Sequence, residues 1–151
     1  MRYLEIIRTV AYCAIWVVVS VSCKQETPTA TGKKVFPWFV YKDWNSFKDI
    51  EPVKEIINSI SVFGNPPKSF IDECHRNHIE VYQAVGGSEE NISTPEKIKT
   101  LVDGYVDACN ANGYDGIDWD FEHLSPDVQD TYTGFLELAS QKLHAAGKKL
   151  S

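Results

Sequence analysis

Cysteine is scarce and basic residues are never clustered, and each shortage closes off a class of function. Four cysteines in 151 residues, at positions 13, 23, 74 and 109, are too few for a disulfide scaffold. None forms a CxxC or lies at a His-containing zinc spacing, which argues against structural zinc, and neither metal nor cofactor is expected. Lys and Arg number 15 against 21 Asp and Glu, a net charge of −6. With no basic cluster to offset it, that balance argues against nucleic acid or an anionic membrane surface as partner. A comfortable membrane span is missing too, since the apolar run from Thr9 to Ser22 is too short for one. What remains is ordinary globular material, 43% hydrophobic and 24% charged.

Residues 1–23 read as a targeting segment. Arg2 and Arg8 flank its start, and the apolar run that follows ends in small residues. Val21-Ser22-Cys23 resembles the cleavage box of a bacterial lipoprotein signal, in which Cys23 is lipidated and becomes the mature N-terminus. Ser20 stands where Leu is common, and Glu5 lies in the charged region. Ordinary secretion and an uncleaved anchor are the alternatives. Residues 24–33, with Thr27-Pro28-Thr29-Ala30-Thr31-Gly32, have no apolar periodicity and read as a flexible tether. The expected location is the cell envelope, through the lipid anchor alone, or the secreted fraction; for a eukaryotic source it is lysosomal or extracellular, and Asn91-Ile92-Ser93 is then a glycosylation sequon.

From residue 34 onward, strand and helix signals alternate. Val35 to Tyr41 is β-branched and aromatic enough for a first strand. Trp38 within it is either core or a platform on which a sugar ring stacks. Pro52 to Asn58 allows a short helix, and Ile60 to Gly64 reads as a second strand. Lys68 to Arg76 is a helical stretch with Phe70, Ile71 and Cys74 on one face, and Ile79 to Val85 is a third strand ending in Gly86-Gly87. Ser93-Thr94-Pro95-Glu96 starts a helix, with Ile98, Leu101, Val102, Tyr105, Val106 and Cys109 as its apolar stripe and Gly113 at its end. Ser125-Pro126-Asp127 opens another, with Val128, Tyr132, Phe135, Leu136, Ala139 and Leu143 on one face and Gly147 at its end. Lys149-Leu150-Ser151 begins a fifth strand. Cys74 and Cys109 on these helices are read as two separately buried thiols, with pairing as the alternative. His75, His78 and His144 are read as surface or helix-end residues.

This alternation implies a parallel sheet with helical crossovers. Four such units make about half of a (β/α)₈ barrel, whose usual length is around 250 residues. The expected fold is therefore α/β, the N-terminal half of a TIM barrel over residues 34–151, breaking off after the start of strand 5.

Between the two long helices lies Gly113-Tyr114-Asp115-Gly116-Ile117-Asp118-Trp119-Asp120-Phe121-Glu122-His123-Leu124. Ile117, Trp119 and Phe121 alternate with Asp118, Asp120 and Glu122, so an extended backbone places three carboxylates on one face and three large apolar groups on the other. At about 6.6 Å between alternate residues, neighbouring carboxylates influence one another's protonation, and like charge favours keeping one of them protonated. A carboxylic acid that stays protonated near neutral pH serves as a general acid, which cleavage of an acetal requires. Asp115 has the wrong parity for this row and is read as supporting the backbone around Gly116. His123 shares the apolar parity and is read as a strand-end residue. A solvated edge or a divalent-cation site is the competing reading; it does not account for the apolar opposite face, and a metal site more often recruits His or further carboxylates.

Asp115-x-x-Asp118-x-Asp120-x-Glu122 resembles the DxxDxDxE signature of chitinase-type glycoside hydrolases of family 18. The resemblance implies that Glu122 protonates the glycosidic oxygen, that Asp120 orients the substrate's N-acetyl group, and that Asp118 shares charge and protons with Asp120. Gly86-Gly87 resembles the end of the family's SxGG strand, with Ala84 in place of Ser; by that resemblance Gly86 and Gly87 are substrate-binding residues, joining Trp38, whose aromatic face suggests the same. Ser61-Val62-Phe63-Gly64, His75 and the run into Leu124-Ser125-Pro126 are most similar to the di-N-acetylchitobiase branch, while Tyr132 to Gly147 resembles the spore-cortex glucosaminidases nearly as well. The family's later Tyr-Asp and Trp positions have no counterpart up to Ser151. The implied activity is retaining, substrate-assisted hydrolysis of β-1,4-linked N-acetylglucosamine in chitin oligosaccharides, chitobiose cores or peptidoglycan, with the half-barrel alone expected to be inactive. A glycan-binding lectin on the same fold is the alternative, and a metal-dependent barrel hydrolase a third class.

Overall fold

The computed structural model describes residues 35–43 and 45–151. The expected targeting segment, the lipidation site Cys23 and the tether lie outside the described residues.

Five strands form one sheet in the order of the chain: β1 (Trp38–Val40), β2 (Ser59–Phe63), β3 (Glu80–Gly87), β4 (Gly116–Phe121) and β5 (Lys149–Leu150). Every neighbouring pair is parallel. A strand order that never reverses has no switch point, which separates this sheet from doubly wound α/β folds and matches the progression of a (β/α) barrel.

Three helices make the later crossovers: α1 (Lys68–Arg76), α2 (Pro95–Asn112) and α3 (Gln129–Ala145). Thr94 caps α2 by accepting the Lys97 N–H at 3.3 Å, Pro95 occupies its first turn, and Gly113 ends it in the left-handed region at φ 86. Both ends thus lie where the capping residue, the proline and the glycine put them. Phe70, Ile71 and Cys74 are the buried residues of α1, as their spacing requires.

Four boundaries differ from the sequence reading. The first strand is Trp38–Val40, shorter than Val35 to Tyr41, with its ladder to β2 closed at the ends by backbone bonds from Ser61 to Pro37 and from Tyr41 to Phe63. The helix expected from Pro52 to Asn58 does not form, its first residues lying in a 3₁₀ turn, Glu51–Val53; a separate 3₁₀ turn before it, Phe47–Asp49, is closed by a Ser46 and Asp49 capping box. The third strand continues through Gly86 and Gly87, which pair with Asp120 and Phe121. Ser125 precedes a 3₁₀ turn, Pro126–Val128, before α3 begins at Gln129.

The apolar groups collect between sheet and helices. Ile60, Val62, Ile71, Cys74, Val81, Cys109, Ile117 and Leu143 form one cluster, and Ile92, Val102, Phe135 and Ala139 a second, with Trp119 packed against both. Cys74 and Cys109 are both free and fully buried.

Candidate active site

β4 divides its side chains as the alternation demands. On the helix side, Trp119 meets Tyr105 of α2 at 4.8 Å and Phe135 of α3 at 4.3 Å, and Phe121 lies 5.7 Å from Phe135. These contacts fix the strand's rotation, so Asp118 and Asp120 must face the other way. Asp118 is 7% exposed, Asp120 is half-buried, and the Glu122 side chain is 67% exposed just beyond the strand's C-terminal end. The row thus climbs from a buried carboxylate to an accessible one.

The register places Ala84 opposite Asp118 and Gly86 opposite Asp120. Two small neighbours leave the carboxylates room on that side. Trp38, Ser61, Tyr82 and Gly116 stand in one layer across β1 to β4. From that layer the Trp38 indole N–H donates to Oδ2 of Asp118 at 3.2 Å. Trp38 is 62% exposed, so its ring is not the core residue that a strand tryptophan usually is. Its edge rests on Phe63, 5.5 Å away. The Ser61 hydroxyl is buried in the same layer without a hydrogen-bond partner among the described residues.

Beneath the row, Tyr82 donates to Oε2 of Glu80 at 3.1 Å, and Lys149 pairs with Oε1 of the same carboxylate. Burial, with the Glu80 charge next, pushes the Tyr82 hydroxyl well above its usual range. Gly116 is needed here, because a Cβ on it would meet the Tyr82 ring at 2.9 Å and overlap the Lys149 carbonyl.

Gly86 and Gly87 do different things. Gly86 has the parity of the carboxylates, and a Cβ there would meet only the Asp120 carbonyl oxygen, at 3.5 Å. Gly87 points to the helix side, where a Cβ would run into the Phe121 ring. Its absence of side chain lets Phe121 lie flat over β3.

Asp115 supports backbone, as its parity suggested, but over a wider reach than Gly116. Its Oδ2 accepts the Val81 N–H at 2.7 Å and lies 2.8 Å from Nε2 of His75. His75 is exposed in the last turn of α1, as read, and is also tied to the start of β4; nothing in the spacing of two residues 40 apart signals this pair. His123 departs from the strand parity altogether. It has φ 58, a left-handed conformation that costs about 1–2 kcal/mol for an L residue. Its Nε2 lies 3.6 Å from Oε2 of Glu122.

Hollows of about 620 and 740 Å³ open on the helix side, the first lined by Gln83, Leu101 and Tyr105 and the second by Trp119, Tyr132 and Leu150. Neither touches the carboxylate row. Among the described residues, no three His, Cys, Asp or Glu side chains gather closely enough to hold a metal ion.

No protein-family model matches the chain, and no curated protein does. Solved structures do share its fold. A chitinase from Chromobacterium violaceum matches 76% of this chain and 44% of its own at 18% identity, with a TM-score of 0.62. The spore cortex-lytic enzyme SleL of Bacillus megaterium matches 78% of this chain and 33% of its own at 15% identity, with a TM-score of 0.65. A chitinase from Bacteroides thetaiotaomicron matches 77% of this chain and 44% of its own at 19% identity, with a TM-score of 0.54. The chain therefore spans between a third and just under half of each of these structures. At such identities the likeness establishes the fold: a parallel α/β sheet corresponding to part of a TIM-type barrel.

Proposed function

We propose that the full-length protein is a glycosidase acting on β-1,4-linked N-acetylglucosamine, in chitin oligosaccharides, chitobiose cores or peptidoglycan. One observation carries this reading: Asp118 and Asp120 share one face of β4 in order of increasing exposure, and Glu122 follows, more exposed still, just beyond the strand's C-terminal end. In barrels of this kind that end is where catalytic groups are kept. The solved structures of like fold, two chitinases and a cortex-lytic enzyme, lend it support.

In the proposed reaction, the oxygen of the substrate's own 2-acetamido group attacks the anomeric carbon while Glu122 protonates the departing glycosidic oxygen. The C–O bond to the leaving sugar breaks, and a cyclic oxazolinium forms. Asp120 accepts the acetamido N–H and offsets the positive charge of that ring. Asp118, held by the Trp38 N–H, sits behind Asp120 as its partner in charge. The Glu122 carboxylate then takes a proton from water as the water opens the ring, which regenerates the acid and retains the anomeric configuration.

Comparison of N-acetylglucosamine oligosaccharides with their glucose analogues tests the nucleophile. The acetamido sugars alone should turn over at an appreciable rate. Equal rates on both would rule out substrate assistance.

A lectin is the second reading, favoured by the exposed Trp38 ring, which would suit glycan binding without cleavage. Retention of Glu122 in an accessible position favours the enzyme. For location, we propose lipidation of Cys23 and attachment to the cell envelope, with secretion as the alternative.

A further inference from the structure

The loop that carries Glu122 is held at both ends. On one side Phe121 closes β4, pairs with Gly87 and packs against Trp119 and Phe135. On the other, the backbone N–H of Ser125 donates to Oε1 of Glu89, 36 residues earlier. Between these two anchors lie Glu122, His123 and Leu124, and His123 is in the left-handed region. An L residue left to itself leaves that region. The turn is therefore imposed from its ends.

Glu89 is well placed to impose it. It opens a 3₁₀ turn, Glu89–Ile92, whose start is fixed by the Ser88 N–H donating to Oδ1 of Asn91 at 2.8 Å. The end of that turn is rooted in the core, because Ile92 is fully buried with Val102, Phe135 and Ala139. The carboxylate thus stands on a firm base directly after the Gly86-Gly87 strand end and reaches across to the loop that follows β4.

We propose that Glu89 is a positioning residue for Glu122, acting through the Ser125 N–H to hold the 122–124 loop in its left-handed turn. This rests on the reading of Glu122 as general acid. Glu89 itself touches no reacting atom. What the loop needs from it is an acceptor oxygen, which Gln also supplies and Ala does not.

Two measurements on the full-length protein test this. The first is amide hydrogen exchange. Glu89→Ala should speed exchange at Ser125 by roughly 10-fold or more, as expected for losing a hydrogen bond to a carboxylate, while Ile117 and Trp119 stay protected; Glu89→Gln should restore most of the protection. Unchanged exchange at Ser125 in Glu89→Ala would overturn the proposal.

The second is leaving-group dependence. Glu89→Ala should lower kcat on an N-acetylglucosamine oligosaccharide, whose leaving group needs protonation, with KM little changed. It should spare an aryl glycoside whose phenol leaves without an acid, and Glu89→Gln should recover the loss. A purely structural role would lower both substrates alike, and that result overturns positioning. Glu122→Gln separates the two ideas. If it shows the leaving-group dependence and Glu89→Ala does not, only the Glu89 proposal fails; if Glu122→Gln shows none, the acid assignment fails and the proposal falls with it.

Discussion

Trp38 on β1 reaches Asp118 on β4 with its indole N–H, although 80 residues and two intervening strands separate them. In a flat sheet, strands three apart lie about 14 Å from one another, at 4.7–4.9 Å per step. Side chains rising in parallel from such a sheet would keep that distance. The 3.2 Å bond therefore requires the sheet to curl toward its carboxylate face, the curl a (β/α) barrel needs. One contact thus ties the fold to the chemistry, because the same bond anchors the buried carboxylate behind Asp120.

Replacing Trp38 separates its two parts. Trp38→Phe keeps a ring and removes the donor; it should leave KM for N-acetylglucosamine oligosaccharides nearly unchanged and lower kcat by roughly 10-fold, the scale of one hydrogen bond to a charged group. Trp38→Ala should also raise KM. Steady-state kinetics on both variants checks this, and a Phe variant with wild-type kcat would leave the indole N–H without a catalytic role.

Gly87→Ala should destabilise the protein by about 1–3 kcal/mol, the usual cost of overpacking, because its Cβ would overlap the Phe121 ring. In the Phe121→Leu background the same change should cost less, as residues in contact are not additive. Urea denaturation of the four proteins measures this directly.

Burial holds both core thiols protonated. From an ordinary value of 9.0, Cys74 is pushed up to about 12, by burial first and the neighbouring Glu73 charge second, and burial pushes Cys109 up to about 11. A group whose pKa is raised on folding stabilises the protein fully below the unfolded value and loses that contribution as pH rises through the folded one. The urea midpoint should therefore decline from about pH 9 upward, and more steeply than in a Cys74→Ala, Cys109→Ala variant. A thiol reagent at pH 8 should find both groups silent until urea is added.

Cys23→Ala should move the protein from the membrane to the soluble fraction, since lipidation of Cys23 is the proposed attachment. Fractionation of cells expressing each form checks it. Equal retention would show that the apolar run from Thr9 to Ser22 acts as the anchor itself.

The repeating units were legible in the sequence because their signals are local. The apolar stripe of α2, its Thr94 and Pro95 start and its Gly113 end lie within 20 residues, and the structure follows them closely. The two faces of β4 were legible for the same reason: one alternation decides which side each residue takes. What escaped depends on distant pairs. Trp38 with Asp118, His75 with Asp115 and Glu89 with Ser125 join residues 80, 40 and 36 apart. No continuous helix forms over Pro52 to Asn58: a 3₁₀ turn, Glu51–Val53, takes its start, and β2 already begins at Ser59. His123 broke the alternation because the strand ends at Phe121.

The most direct test is the hydrolysis of N-acetylglucosamine oligosaccharides by full-length wild-type protein and by Glu122→Gln. Removing a positioned acid should lower kcat by roughly 10²-fold or more on these poor leaving groups, with bound oligosaccharide still detectable by titration. Full activity in Glu122→Gln would contradict the assignment and place the acid elsewhere.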